Sequence, residues 1–198
     1  MKQNEFIAVT NGDVALVPYR RKHVPIYHQW MQSQELLDQT ASERLSLEQE
    51  YAMQQSWQAD ADKCTFIILW KGMPTNRVDG APMDSFGGMI GDVNLFLNND
   101  EQCRTAELDV MIAEPNARRK GLGRRSALAM MYYGIHYWAI NAFIVKIGMN
   151  NHASLQLFAS LGFKRVSESQ VFQEATLALP VTQQLIETIS CIQVHSIR

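Results

Sequence analysis

Residues 107–123, ELDVMIAEPNARRKGLG, decide how the whole chain is read. The opening residues set Glu107 and Asp109 against Leu108, Val110 and Ile112, the two-residue period of a strand with one apolar face. A short connector follows. Gly121-Leu122-Gly123 then opens a helix whose apolar positions Leu128, Met131, Ile135 and Trp138 fall at i, i+3, i+7 and i+10, the predicted buried stripe. This order puts Gly121 and Gly123 at a helix N-terminus, where backbone N–H groups have no intrahelical partner. Glycine lets a ligand approach the backbone closely, and the helix dipole contributes about half a positive charge. Arg118, Arg119, Lys120, Arg124 and Arg125 add a local cationic field, so the turn is a candidate phosphate site. A solvated basic loop or a nuclear-import patch would account for the charges, though not for Gly-x-Gly at a helix start. The pattern GxxxxGK[ST] is absent, and Ser126 breaks GxGxxG, which argues against a nucleoside triphosphatase and a Rossmann dehydrogenase.

Upstream, residues 13–18 read as a strand ended by Pro18, and residues 23–37, HVPIYHQWMQSQELL, as one helix carrying Ile26, Trp30 and Leu37. Ser46 is a good N-cap before Glu48, Gln49 and Glu50, so a second helix is predicted from there to about Ala59. Thr65 to Trp70 and Met89 to Leu97 read as paired strands. Between them, residues 71–88 hold four Gly and two Pro, the composition of a surface loop. Residues 98–102 make a turn into the strand Glu107 to Ile112. Downstream come a strand from Phe143 to Ile147 and a short helix opened by Asn151 and closed by Gly162. Strands at Lys164–Phe172 and Gln173–Leu179 complete the order βααβββαβαββ. That alternation predicts an α/β (α+β) layer fold around one central sheet, with Thr182 to Ile192 as a further helix.

The 198 residues suffice for one sizeable core, so one domain is expected over residues 1–198, with 181–198 a C-terminal extension. The net charge of −2 gives no general attraction to nucleic acid or to an anionic membrane. Cys64, Cys103 and Cys191 are odd in number, far apart and without a CxxC pair. That speaks against a disulfide framework or a zinc site and for a reducing, cytoplasmic setting with the cysteines as small buried core residues. Glu5 and Asp13 interrupt any apolar signal-peptide core, so the N-terminal segment is read as mature protein. Residues 126–145 lack Asp, Glu, Lys and Arg, yet Gly134, His136, Asn141 and three tyrosine hydroxyls fit a buried helix and strand better than a membrane span. The five histidines show no metal-ligand spacing, so no metal is expected.

Arg118-x-x-Gly121-x-Gly123 matches the [QR]xxGx[GA] signature of the GNAT acetyltransferases. Asn151-x-x-Ser154-x-x-Leu157-Phe158-x-x-Leu161-Gly162-Phe163 resembles that family's second motif, one helix and one strand further on. Phrases such as HVPIYHQWM, GDVNLFL, VMIAEP, KGLG and VFQEATL are similar to the N-acetyltransferase 9-like branch, related to the ribosomal-protein N-terminal acetyltransferases. The likeness spans roughly Asp13 to Leu179.

What the resemblance implies is a GNAT fold with a single mixed sheet of about seven strands flanked by helices on both faces. It also implies a transferase that uses acetyl-CoA as co-substrate and acetylates an amine directly, without a covalent enzyme intermediate. The acceptor is expected to be a protein or peptide amine, an N-terminal α-amine or a lysine; a CoA-binding interaction protein is the alternative. By resemblance Arg118, Arg119, Lys120, Gly121, Leu122, Gly123 and Arg124 hold the pyrophosphate, Met111 and Ile112 offer backbone groups to the pantetheine arm, and Asn151 and Phe158 complete the CoA site. Glu107 takes the place of a general-base glutamate, eleven positions before Arg118, and Ser154 that of a proton donor to the leaving thiolate. Each has a plain alternative: an outer-face strand carboxylate, a first-turn helix residue, an N-cap worth about 1 kcal/mol, core packing. Two departures stand out: Phe158 where many relatives carry a tyrosine, and Lys146 where other branches carry a basic glutamate. Residues 40–43 and 167–170 are the candidate acceptor-lining segments.

Overall fold

The computed structural model describes residues 4–74, 77–78, 81–82, 86–100 and 103–197, with backbone alone at 77–78, 81–82, 99–100 and 103. Its first element is a hairpin, β1 (Ile7–Asn11) and β2 (Val14–Pro18). Their two-residue connection, Gly12–Asp13, has Gly12 at φ +66°, a left-handed position that glycine adopts freely and that suits a tight hairpin. After a 3-10 turn at Arg21–His23 come α1 (Val24–Trp30), α2 (Gln34–Gln39) and α3 (Leu47–Ala59). The single helix predicted over residues 23–37 is thus two helices. Bonds of the i→i+3 type from Gln32 to Gln29 and from Ser33 to Trp30 tighten and end the first. The break re-aims the chain so that Trp30, Met31, Leu36 and Leu37 are all buried. α3 begins where its capping box demands, with Ser46 Oγ accepting from the Gln49 N–H and Gln49 Oε1 accepting from the Ser46 N–H.

β3 (Lys63–Trp70) leads into a two-residue hairpin, β4 (Arg77–Val78) and β5 (Ala81–Pro82), then the long pair β6 (Gly88–Asp100) and β7 (Cys103–Ile112). The loop predicted over residues 71–88 and the turn at 98–102 lie partly outside the described residues. Next come α4 (Leu122–Trp138), β8 (Ala142–Gly148), α5 (His152–Ser160), β9 (Lys164–Ser169), β10 (Glu174–Pro180), α6 (Gln183–Ile189) and β11 (Gln193–Ser196).

One mixed sheet runs in the order β11-β1-β2-β3-β6-β7-β8-β10-β9, with β7 and β8 its parallel pair. It has nine strands where about seven were expected. The two additional ones, β1 and β11, pair with each other along Ile7↔Ser196 to Thr10↔Gln193, so residues 193–196 of the expected C-terminal extension join the sheet. α4 covers one face, packing on Leu16, Phe66, Ile68, Val93, Leu95 and Leu108. α1–α3 cover part of the other, over Ala15, Val17, Ile67, Leu69, Met89 and Met111. Within α4, Met131 and Trp138 are buried as predicted, but Leu128 and Ile135 are only half-buried. The deeper face carries Ala127, Met130 and Gly134, because small residues let the helix sit close: a Cβ at Gly134 would come within 3.1 Å of the Phe143 ring. Cys64 is fully buried, and burial pushes its thiol up to about 12. Cys191 is exposed, unlike the core residue it was expected to be.

Candidate functional site

β7 and β8 pair only from Thr105↔Ala142 to Glu107↔Ile144. Beyond Glu107, β7 continues to Ile112 and β8 to Gly148 without pairing, so two facing strand edges diverge and leave their backbone groups open between them. The α4 N-terminus lies at the far end of that opening and the first turn of α5 at the end of β8. On the other side of β7, Gly91 of β6 approaches so closely that any side chain there would collide with the Met111 carbonyl. Met111 is buried on the α1–α3 face, while half-buried Ile112 packs on the α4 face.

The turn after β7 is held by its own backbone. The Ala113 and Glu114 N–H groups both donate to the Ile90 carbonyl, and a 3-10 turn, Pro115–Ala117, follows. Arg119 and Gly121 are left-handed, at φ +62° and +75°, so the chain curls around the helix start, and Gly121 is the residue that can do so without strain. The first backbone bond of α4 runs from the Arg125 N–H to the Gly121 carbonyl, which leaves the N–H groups of Leu122, Gly123 and Arg124 without an intrahelical partner. Leu122 is buried and anchors the start. Gly123 lies between β7 and α5: a Cβ there would sit 3.6 Å from Ile112 and 3.5 Å from Leu157.

The basic side chains of this turn divide their work. Arg118 points back into the protein, donating to the Ile112 carbonyl at 3.0 Å and to Glu35 Oε1 of α2 at 2.8 Å. Arg124 donates to the Ser160 carbonyl at 3.0 Å and binds α5 to α4, and Arg125 pairs with Asp13. Arg119 is exposed, and exposed Lys120 sits 5.0 Å from the Trp70 ring centroid.

In the second motif, Asn151 is the N-cap of α5, its Oδ1 accepting from the Ser154 N–H at 3.1 Å. The half-buried Ser154 hydroxyl makes no hydrogen bond to the protein among the described residues. Gly162, at φ +96°, closes the helix in a Schellman motif: the Phe163 N–H bonds the Phe158 carbonyl and the Gly162 N–H that of Ala159. The accompanying apolar contact is Phe158 on Phe163, edge-on at 5.1 Å, and it turns the Phe158 ring into the core.

On the α1–α3 face, Glu107, Asp109 and Met111 share a side with Asp92, Asn94 and Phe96 of β6 and Lys63 and Thr65 of β3. Lys146 of β8 reaches Glu107 Oε2 at 2.6 Å. Asp92 is buried, accepts from Asn94 Nδ2 at 2.8 Å, and is pushed up to about 6 by burial; Thr65 in turn donates to Asn94 Oδ1 at 2.6 Å. Burial lowers the Lys63 ammonium to about 8, and that ammonium lies 2.9 Å from the centroid of Trp57. Above this floor, α3 contributes Glu50, 1% exposed and pushed up to about 7 by burial, with His28 3.8 Å away. Burial and the Glu50 charge also raise the Tyr19 phenol, whose hydroxyl has no hydrogen-bond partner among the described residues. Sequence reasoning assigned none of Asp92, Lys63, Glu50 or Tyr19 to a site. The available signal was the alternation of Asp92 and Asn94 with Val93 and Leu95, an unusual polar face for a strand in the middle of a sheet.

The segments predicted to line the acceptor, residues 40–43 and 167–170, are largely exposed at the end of α2 and the β9–β10 turn. That hairpin also leaves Val171 and Phe172 in solvent. Among the described residues no group of His, Cys, Asp and Glu could hold a metal ion, and no helix is long and apolar enough to cross a membrane.

Residues 13–164 match the acetyltransferase (GNAT) domain family. An N-acetyltransferase 9-like protein of Nematostella vectensis is 51% identical over 181 residues, covering 89% of this chain and 87% of that one. The alpha/beta-tubulin-N-acetyltransferase 9 of Homo sapiens is 49% identical over 188 residues, 92% and 87% of the two chains. Among solved structures, spermidine N-acetyltransferase from Vibrio cholerae, in complex with CoA and spermine, superimposes with a TM-score of 0.70 at 15% identity, over 86% of this chain and 96% of that one.

Proposed function

This chain belongs to the GNAT acetyltransferase family, with acetyl-CoA as its co-substrate, and on that premise we propose that it acetylates an amine of a protein directly, an N-terminal α-amine or a lysine. The observation that carries this reading is the meeting of three features at one cleft: unpaired N–H groups at the start of α4, the diverging edges of β7 and β8, and the first turn of α5.

The phosphates of the donor fit the α4 start. The N–H groups of Leu122, Gly123 and Arg124 donate to them, and Arg119, Lys120 and Arg124 supply positive charge. Arg118 acts through the turn it ties down. The pantetheine arm fits the opening between the strands, where the Met111 and Ile112 backbone offers polar groups and Gly123 leaves space beside Leu157. Asn151 serves this site by fixing α5, and Phe158 by packing its far end. The carboxylates of β7, Glu107 first by resemblance, face the acceptor amine, and Ser154 is placed to donate a proton to the departing sulfur. A thioester is activated enough that positioning and proton management do most of the remaining work.

The human relative is named for alpha and beta tubulin, so tubulin chains are the leading acceptors in this reading. Names of this kind favour transfer over a purely CoA-binding interaction role. The exposed thiol of Cys191 and the net charge of −2 support a reducing, cytoplasmic setting and a partner that is neither nucleic acid nor membrane. The test is a screen with labelled acetyl-CoA against purified tubulin and a panel of peptides with free or blocked N-termini. Label on an amine sustains the reading. CoA binding with no label on any acceptor overturns it in favour of the interaction role.

A further inference from the structure

β7 presents two carboxylates on one face, and their surroundings differ. Glu107 is the last residue of that face opposite a β8 partner, and its Oε2 is taken by Lys146 at 2.6 Å. Asp109 is the next residue on the face and the first beyond the end of β7–β8 pairing. Solvent reaches it, and it makes no hydrogen bond or ion pair with any described residue.

Resting on the acetyl-transfer reading above, we propose that Asp109 is the catalytic base that takes the proton from the acceptor amine, and that Glu107, tied to Lys146, is a positioning residue beside it. The amine nitrogen forms a bond to the thioester carbonyl carbon. The carbon–sulfur bond breaks with its electron pair leaving on sulfur, and the nitrogen's surplus proton passes to the Asp109 carboxylate. Sulfur then takes a proton, from water or through the Ser154 hydroxyl, leaving an amide and a free thiol.

The groups facing Asp109 come from every wall of the cleft: Glu107 on its own strand, Asp92 on β6, Lys63 on β3, Lys146 on β8 and Tyr27 on α1. Partial desolvation in this concave wall comes first, and the charges of Glu107 and Asp92 add to it. Together they outweigh Lys63 and Lys146 and raise Asp109 to about 6. Such a carboxylate is ionised at neutral pH, yet more basic than an ordinary one, the compromise a general base needs. Glu107, by contrast, has one carboxylate oxygen, Oε2, engaged by the Lys146 ammonium.

The experiment is the pH dependence of kcat/KM for the full chain with an acceptor peptide found by the screen. Ionisation of the acceptor amine alone gives a slope of one below about pH 8. Wild type steepens to a slope of two below about pH 6, where Asp109 also takes a proton. Asp109→Asn lowers the rate about 100-fold at neutral pH and keeps a slope of one throughout, with acetyl-CoA affinity by calorimetry unchanged. Two further variants guard against a folding defect. Glu107→Gln moves the break to lower pH because a raising charge is gone, and Lys146→Met moves it to higher pH because a lowering charge is gone. Retention of the break and rate in Asp109→Asn, or loss of the break in Glu107→Gln alone, overturns the assignment while leaving acetyl transfer intact. Absence of transfer by wild type to every acceptor overturns the underlying reading itself.

Discussion

Lys146 on β8, two residues beyond the last paired step Glu107↔Ile144, reaches back to Glu107 on β7 at 2.6 Å, where the two strands part. The ammonium rises above its ordinary pKa because of that bond, and the pair closes the base of the cleft like a staple. Both side chains keep some solvent, at 48% and 24% exposure, so the pair contributes little to stability. Lys146→Met is therefore expected to change unfolding free energy by less than about 1 kcal/mol in urea titration and to leave CoA affinity unchanged. Loss of the fold in this variant would mean that the pair holds the sheet together.

Gly123 separates ligand space from protein space. A Cβ there meets only ordinary contacts, 3.5 Å or more from Leu157 and Ile112, and the backbone is not left-handed. Gly123→Ala should then fold normally, while Gly123→Val weakens acetyl-CoA binding at least tenfold by calorimetry, the larger side chain filling the approach to the free N–H groups. Unchanged affinity in the valine variant would move the phosphate site elsewhere.

Asn151 and Ser154 share one cap but different fates. The side chain that caps α5 belongs to Asn151, and Ser154 contributes only its backbone N–H. Asn151→Ala is expected to cost about 1 kcal/mol of stability. Ser154→Ala should alter the melting temperature by no more than a degree or two and lower kcat several-fold with KM for acetyl-CoA held. Full activity in Ser154→Ala would remove its hydroxyl from the reaction and leave water as the proton source.

Glu50 gives a pH signature in stability. Its folded pKa, about 7, lies above the ordinary 4.5, so the folded state holds its proton more tightly than the unfolded chain does. That contribution is full below pH 4.5 and is lost as pH rises towards 7, after which the deficit is constant. Glu50→Gln never ionises. It should match wild type near pH 4.5 and exceed it at pH 8 by on the order of 1–3 kcal/mol, read as a higher urea midpoint. Equal midpoints at pH 8 would show that the fold does not raise the Glu50 carboxyl.

The central strand, the glycine turn and both motif helices were legible in the sequence because their signals are local. Alternation marks β7, Gly121 marks a left-handed helix start, and Asn151 and Gly162 bracket α5. β1 was missed although Asn11-Gly12 is a hairpin signal, since its polar termini blurred the alternation. β11 was missed because its four residues gain their shape only by pairing with β1, 183 or more positions away. The stripe of α4 was displaced because periodicity marks bulky residues, whereas the closest packing is made by Ala127 and Gly134.

The candidate site was legible as motifs rather than as geometry. Arg118 belongs to the signature, but its guanidinium is committed to Ile112 and Glu35, a partner 83 positions away that no local reading supplies. Phe158 stood out only as a departure from the tyrosine of many relatives, and it is the apolar contact of a helix end. The raised carboxyls of Asp92, Asp109 and Glu50 arise from the layering of α1–α3 over the sheet, which composition does not reveal.

The pairing of Ile7 with Ser196 ties together residues 189 positions apart. Closing so long a loop is entropically slow, so this edge is among the last parts of the molecule to form. During synthesis on the ribosome β1 waits with one side unsatisfied until residues 193–196 have emerged. A product cut short before residue 193 would carry that open edge permanently and would be prone to recruit a neighbouring strand into aggregates.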